Sequence, residues 1–225
     1  HPDVKMRETF TIVFDLDGTI SDPLVGISRS FNYALTHFGH APVAETALRP
    51  HIGPPLDEAF RALTGISSAS EIAAYVAKYR ERYADIGYRE NVLYPGVVES
   101  LQRLHAVGIP LGVCTSKRGD FAQRILELFD IGSWFQFVDG GDIGIPKWQQ
   151  LEALVARGAI SRDSVMVGDR GVDLQAAHRN GLSSAGVLWG YGSRQELERE
   201  HPRFLFTAPS ELGTLAEERP RDRRS

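Results

Sequence analysis

An α/β fold, with helices on both faces of a parallel sheet and a helical insert, is what this sequence predicts, and three observations predict it. Strand-like and helix-like segments alternate from residue 110 to residue 189, the pattern of a parallel sheet with crossover helices. The strand-like segments are short apolar runs, as in strands buried on both faces. Between Pro23 and Asp85, by contrast, helical patterns dominate.

The first strand, Thr9 to Phe14, is rich in Thr, Ile, Val and Phe and runs into Asp15-Leu16-Asp17-Gly18, a tight loop that ends it in carboxylates. In the third helix of the insert, Ile72, Tyr75, Val76, Tyr79 and Tyr83 share one face, a stripe better suited to packing than to holding a ligand. A helix from Pro95 and Gly96 to Gly108 leads to a strand, Pro110 to Cys114, that stops at Thr115-Ser116-Lys117. There follow helix Phe121 to Phe129, strand Phe135 to Val138, helix Trp148 to Arg157, strand Ser164 to Val167, helix Val172 to Asn180 and strand Ala185 to Trp189. The division is a core of residues 1–20 and 91–225 and an insert of residues 21–90. Its two crossings, just after Thr19 and near Asn91 to Tyr94, suit hinges.

Bulk properties exclude several roles. The longest apolar runs are only of strand length, so no membrane association is expected. A net charge of -4 offers no general attraction for a nucleic-acid polymer, and the basic stretch Arg219 to Arg224 reads as a frayed, solvated tail. Cys114 is the only cysteine, which rules out an internal disulfide and suits a reducing cytoplasm; beside Leu111 and Val113 it reads as a buried strand thiol rather than a nucleophile. The first residues lack the sections of a signal peptide, and because the chain opens with His1 and Pro2 rather than Met, Met6 is one candidate for the native start and the status of His1 and Pro2 stays open.

Three predicted strands end in complementary polar groups: Asp15 and Asp17 after the first, Thr115 after the second, Asp169 after the fourth, with Lys147 preceding the helix between the last two. In a parallel sheet such ends gather ligands. Carboxylate oxygens suit Mg²⁺, while an ammonium, a hydroxyl and loop N–H groups neutralise a phosphoryl group. At Gly18 the absent side chain lets backbone donors approach closely.

In order along the chain, Asp15-Leu16-Asp17-Gly18-Thr19, Thr115, Lys147, and Gly168-Asp169 with Asp173 resemble the four motifs of the haloacid dehalogenase superfamily. The helical insert, Gly53-Pro54-Pro55-Leu56 and Trp189-Gly190-Tyr191-Gly192-Ser193 are similar to its helically capped, phosphoglycolate phosphatase-like branch. The resemblance implies a Rossmann-like core with a helical cap over residues 21–90, and an Mg²⁺-dependent phosphatase of small-molecule phosphate esters. It implies Asp15 as nucleophile, forming a phosphoaspartyl intermediate, and Asp17 as general acid/base. The metal would be held by Asp15, the Asp17 backbone carbonyl and Asp169, with Asp173 supporting it or Lys147. Gly18, Thr115, Ser116 and Lys147 would bind phosphate, and Arg49, His51, Gly53 and Pro54 would touch the substrate.

Several alternatives stay open. The third motif often reads Lys-Pro, whereas here Pro146 precedes Lys147, and Lys117 rivals it. Asp173 in a first helical turn has a purely structural reading as well. Gly53-Pro54-Pro55 either breaks helices or faces substrate. Dehalogenases resemble this motif without Asp17, a phosphonatase would need a cap lysine nearer the loops than Lys78, and a sugar phosphomutase would place a histidine where Val25 to Arg29 stand. A non-catalytic binding module would have lost one of Asp15, Asp17, Lys147 or Asp169, and all four are present. Phosphoglycolate, a nucleoside 5′-monophosphate and a sugar phosphate all fit as substrate. His37, His40 and His51 have no metal-ligand spacing.

Overall fold

The computed structural model describes residues 10–142 and 144–218; His1, Pro2, Met6 and the Arg219 to Arg224 stretch lie outside them. A central strand, β1 (Ile12–Phe14), is fully buried on both sides. Ile12 and Phe14 join one apolar cluster with Val97, Leu101 and Ile125, while Val13 joins a second with Leu151, Leu154 and Ala177. Successive side chains of a strand point to opposite faces, so these two clusters are the two sides of the sheet. Helices α5 (Val97–Ala106) and α6 (Gly119–Leu128) cover the first, and α7 (Lys147–Ala156) and α8 (Gly171–Arg179) cover the second.

Six strands form the sheet: β4 (Leu111–Arg118), β5 (Phe135–Gly141), β6 (Val165–Gly168), β7 (Ser183–Val187) and β8 (Phe204–Phe206) flank β1 in the parallel order β5-β4-β1-β6-β7-β8. Phe14 pairs with Val113 on one side and Val167 on the other. Asp15, Cys114 and Gly168 therefore stand level, one residue further along. From β1 the chain runs to β4 and β5 on one side and then returns to β6, β7 and β8 on the other, and this change of direction opens a crevice at the carboxyl ends of β4, β1 and β6.

The alternation predicted from sequence is present, with three departures. Lys147 opens α7 rather than preceding it, because Pro146, extended at φ -72° and ψ 151°, is its N-cap. The strand expected to stop at Thr115 continues to Arg118, paired with Gly140 and Gly141 of β5. A side chain at Gly140 would lie 2.2 Å from the Gly119 Cα, so glycine there lets the backbones close up and the strand run on. Strand β8 was not anticipated, since three residues carry no readable period.

The insert is helical, comprising α1 (Leu24–His37), α2 (Glu45–Leu48), α3 (Leu56–Thr64) and α4 (Ala69–Asp85), with a 3-10 turn at Arg49–His51. Ser68 caps α4 by accepting the Glu71 N–H at 3.4 Å, and the predicted stripe is buried. That stripe packs on Ile27, Phe31, Leu35, Leu48 and Phe60, a cluster distinct from the sheet's two, to which α6 contributes Phe121. The two crossings of the chain pair as an antiparallel ribbon, β2 (Ser21–Asp22) with β3 (Val92–Leu93), fastened by the Ser21 hydroxyl donating to Asn91 Oδ1 at 3.2 Å.

Phe60 is fully buried at the centre of the insert's cluster, edge-on to Phe31 at 5.1 Å. Phe60→Ala is expected to lower stability by about 3–5 kcal/mol, the usual cost of emptying a buried phenylalanine site, read from the urea midpoint.

Candidate active site

The crevice holds a dense set of charges. Lys147 is buried, with Nζ 3.0 Å from Asp15 Oδ1, 3.1 Å from Asp173 Oδ1 and 3.0 Å from the Cys114 carbonyl. Its place at the start of α7 carries the side chain across β4 to the end of β1. Asp173 is fixed from its other side by the Arg170 N–H, which donates to Oδ2 at 3.1 Å, the capping arrangement that starts α8. So Asp173 both caps its helix and serves Lys147, and the two readings of it are compatible. Burial alone would lower the Lys147 ammonium, but Asp15 and Asp173 outweigh it and hold it above the usual range.

Asp169 follows β6 and is buried. Its Oδ2 accepts the Tyr191 N–H at 2.9 Å, Oδ1 lies 3.5 Å from the Thr19 hydroxyl, and it makes no ion pair among the described residues. Burial first, then repulsion from Asp15 and Asp173, pushes its carboxyl well above the carboxylate range. Burial likewise pushes Asp15 up to about 7, with Lys147 opposing and Asp173 adding to the rise. One oxygen from each of Asp15, Asp169 and Asp173 lies within 4.8 Å of the others. Clustered carboxyls that burial has raised, one of them without a cation, fit a hard divalent ion that prefers oxygen. The Asp17 side chain stands outside this group, paired through Oδ2 with Lys117 Nζ at 3.1 Å.

Gly18 is in the left-handed region at φ +82°, and a side chain there would reach 2.1 Å from Asp169 Oδ2. Glycine thus permits both the turn and the closeness of Asp169. The Trp189-Gly190-Tyr191 segment, which follows β7, packs against the same loop: the Trp189 indole donates to the Thr19 carbonyl at 2.9 Å, and the Tyr191 hydroxyl donates to Asp22 at the ribbon.

A cavity of about 580 Å³ opens above these residues, with Asp15, Asp17, Ser116 and Lys147 on its wall. His51, Gly53, Pro54 and Pro55 line it from the insert, and Pro55 is also the N-cap of α3, so the Gly-Pro-Pro segment both starts a helix and faces the cavity. Thr115 is buried behind the wall, where its hydroxyl accepts the Lys117 N–H at 3.1 Å. Arg49 is not on the wall; its guanidinium stacks on Tyr191, 4.8 Å from the ring centroid. Tyr79 and Tyr83 belong to the packed stripe yet reach the cavity with one edge. Cys114 is buried, and burial pushes its thiol up to about 12, which keeps it inert as expected.

Sequence reasoning missed Arg170 and Arg118 on the wall. Arg170 is aimed by Glu196, which accepts from its Nε at 2.9 Å and its Nη2 at 3.2 Å. Its position beside Asp169 was the available signal. The pairing with a residue 26 positions on was not visible.

The description "haloacid dehalogenase-like hydrolase" matches residues 12–187. This chain belongs to that family. The hydrolase is 37% identical over 195 residues to a 5′-nucleotidase of Pseudomonas aeruginosa, covering 85% of this chain and 88% of that protein. It is 32% identical over 212 residues to a phosphoglycolate phosphatase of Vibrio parahaemolyticus, covering 89% and 93%. It is also 36% identical over 193 residues to the tyrosine-protein kinase PtkA of Mycobacterium tuberculosis, covering 84% of this chain but 65% of that protein. A structure from Clostridium difficile described as a candidate phosphatase superposes with a TM-score of 0.83 at 33% identity over 92% of this chain and 98% of that one. With phosphatase relatives matched over nearly their full length, the hydrolase is a phosphatase. No helix among the described residues is long and apolar enough to cross a membrane.

The raised carboxyls give the metal-free protein a definite pH dependence. An unfolded Asp ionises near 3.8, whereas the folded Asp15 carboxyl keeps its proton until about 7. Between these values the folded state binds more protons, so stability falls as pH rises through the window. Chelated protein followed by thermal unfolding from pH 4 to pH 8 is expected to show this decline, and Asp15→Asn to lessen it.

Proposed function

We propose that this phosphatase requires Mg²⁺ and hydrolyses a small phosphate monoester through a phosphoaspartyl intermediate on Asp15. The observation that carries the reading is the separation of two neighbouring carboxylates on one cavity wall: Asp15 is held by Lys147, Asp17 by Lys117. Two carboxylates with different partners suit two duties. Asp15 attacks phosphorus as the bond to the leaving oxygen breaks, and Asp17 gives that oxygen its proton. Asp17 then takes a proton from water, which attacks the acyl phosphate, breaking the phosphorus–Asp15 bond and releasing inorganic phosphate. Lys147 neutralises the transferring phosphoryl, with Ser116, Gly18 and Thr115 completing its surroundings. Asp15, Asp169 and the Asp17 carbonyl would hold Mg²⁺, which supplies charge neutralisation at the phosphoryl oxygens. Asp173 acts through Lys147. A reducing cytoplasm suits the lone buried thiol.

Among the substrates open from the sequence, the cavity favours a nucleoside 5′-monophosphate. About 580 Å³ is room for a drug-sized group, in the range of about 300–1,000 Å³, and far more than a two-carbon acid phosphate fills. Ile27, Leu56, Phe121 and Ile145 add apolar wall suited to a base, and the 5′-nucleotidase relative supports the same choice. Assayed with Mg²⁺ on a panel of esters, the enzyme is expected to give a nucleoside 5′-monophosphate at least about tenfold higher kcat/KM than phosphoglycolate, as a gain of about 1.4 kcal/mol from the filled wall implies. Preference for phosphoglycolate would overturn the assignment of substrate but not of chemistry.

The chemistry has its own tests. Asp15→Asn should abolish turnover while leaving the fold intact, and EDTA should do the same reversibly. Asp17→Asn should lose about 10²- to 10⁴-fold on alkyl esters and far less on nitrophenyl phosphate, whose leaving group needs little protonation. A tenth of the activity surviving in Asp15→Asn would remove it from the nucleophile's role.

A further inference from the structure

Each carboxylate on the cavity wall has its own lysine, and the second lysine is tied to the insert. Lys117, on β4, reaches Asp17 Oδ2 at 3.1 Å and donates to the Tyr83 hydroxyl at 2.5 Å. Tyr83 is on α4, in the insert, where its ring stacks on Tyr79 at 5.6 Å, and it meets Phe121 of the core helix α6 edge-on at 5.0 Å. Asp17 Oδ1, by contrast, is buried with no hydrogen-bond partner among the described residues. A buried carboxylate oxygen left unpartnered is costly unless some later event supplies the partner.

We infer that Lys117 is a positioning residue for Asp17: it pins Oδ2, so that Oδ1 is the oxygen that exchanges a proton with the leaving group, and Tyr83 makes this pinning depend on a seated insert. A carboxylate turns freely about its Cβ–Cγ bond, and an ion pair to one oxygen removes that freedom. Held between Asp17 and Tyr83, the Lys117 ammonium is committed away from the phosphoryl group, which Lys147 already serves. When the insert swings away Tyr83 leaves with it, and Lys117 loses one of the two groups that hold it. The acid is then assembled only over a bound substrate. This inference rests on the reading of Asp17 as general acid.

The test compares kcat and KM, with Mg²⁺ saturating, on the preferred alkyl ester and on nitrophenyl phosphate, for Lys117→Met, Tyr83→Phe, Asp17→Asn and the Lys117→Met/Asp17→Asn double variant. Lys117→Met should lower kcat on the alkyl ester by about 10- to 100-fold, the worth of a hydrogen bond to a charged group, with KM little changed. On nitrophenyl phosphate the loss should be about threefold or less, because little proton transfer is needed there. Tyr83→Phe keeps the ring packing and should show the same selectivity at about 3- to 10-fold. In the Asp17→Asn background, Lys117→Met should add almost nothing, since both changes act on one group. Equal losses on the two esters, a raised KM at unchanged kcat, or full additivity would each overturn the positioning role. If Asp17→Asn itself shows no ester selectivity, the acid reading falls and this inference with it; if it does and Lys117→Met does not, only the inference falls. Should Lys117→Met fail to fold, Tyr83→Phe decides by the same criteria.

Discussion

The ammonium of Lys147, buried between Asp15 and Asp173, is the interaction on which the site depends. Three carboxyls crowd within a few ångströms at the ends of adjacent strands, and their mutual repulsion in a dry crevice would splay the loops without a cation at the centre. Pro146 starts α7 early enough that its first residue spans β4, and the Cys114 carbonyl accepts the third hydrogen bond. The pairing of Phe14 with both Val113 and Val167 supplies the other half, since a slip of one residue would turn Asp15 to the opposite face of the sheet.

Around this centre the neutral donors hold what the lysine does not reach. Asp169 is fixed by the Tyr191 N–H and approached by Thr19, and the Trp189 indole braces the Thr19 carbonyl. The result is a cup whose floor is charged and whose clustered carboxyl oxygens suit a hard cation.

Much of this was legible in the sequence because it is written locally. A strand's apolar run, the Asp-Leu-Asp-Gly turn that ends it and the periodic face of α4 are each set by neighbours in the chain, and parallel pairing then brings the ends together. What could not be read depends on distance. The sequence leaves Lys117 a rival to Lys147, and the fold places each lysine beside its own aspartate. Arg49 looked like a substrate contact from its place beside His51 and the Gly-Pro-Pro segment, yet it stacks on a tyrosine 142 positions away. Thr115 looked like the end of a strand because Gly140 and Gly141, whose bareness lets the strand continue, belong to another element. Register, backbone approach and long-range pairing leave no periodic trace.

The join between insert and core has a consistent chemistry. Among the described residues Phe121 and the partly buried Tyr191 pack on the insert's cluster and Tyr88 of the insert packs on the sheet's, while Tyr83 with Lys117, Arg49 with Tyr191, and Arg80 with Asp142 at 4.0 Å add polar or cation–aromatic links. An apolar seam of comparable reach would close more tightly but would expose apolar surface each time it opened. Polar links exchange for water at small net cost, so they add less to the cohesion of the seam than an apolar contact of the same area would. The ribbon at Ser21 and Asn91 holds the two crossings together throughout. Across this seam Lys117 meets both Asp17 and Tyr83. The polar part of the seam and the placement of Asp17 thus share one residue, Lys117.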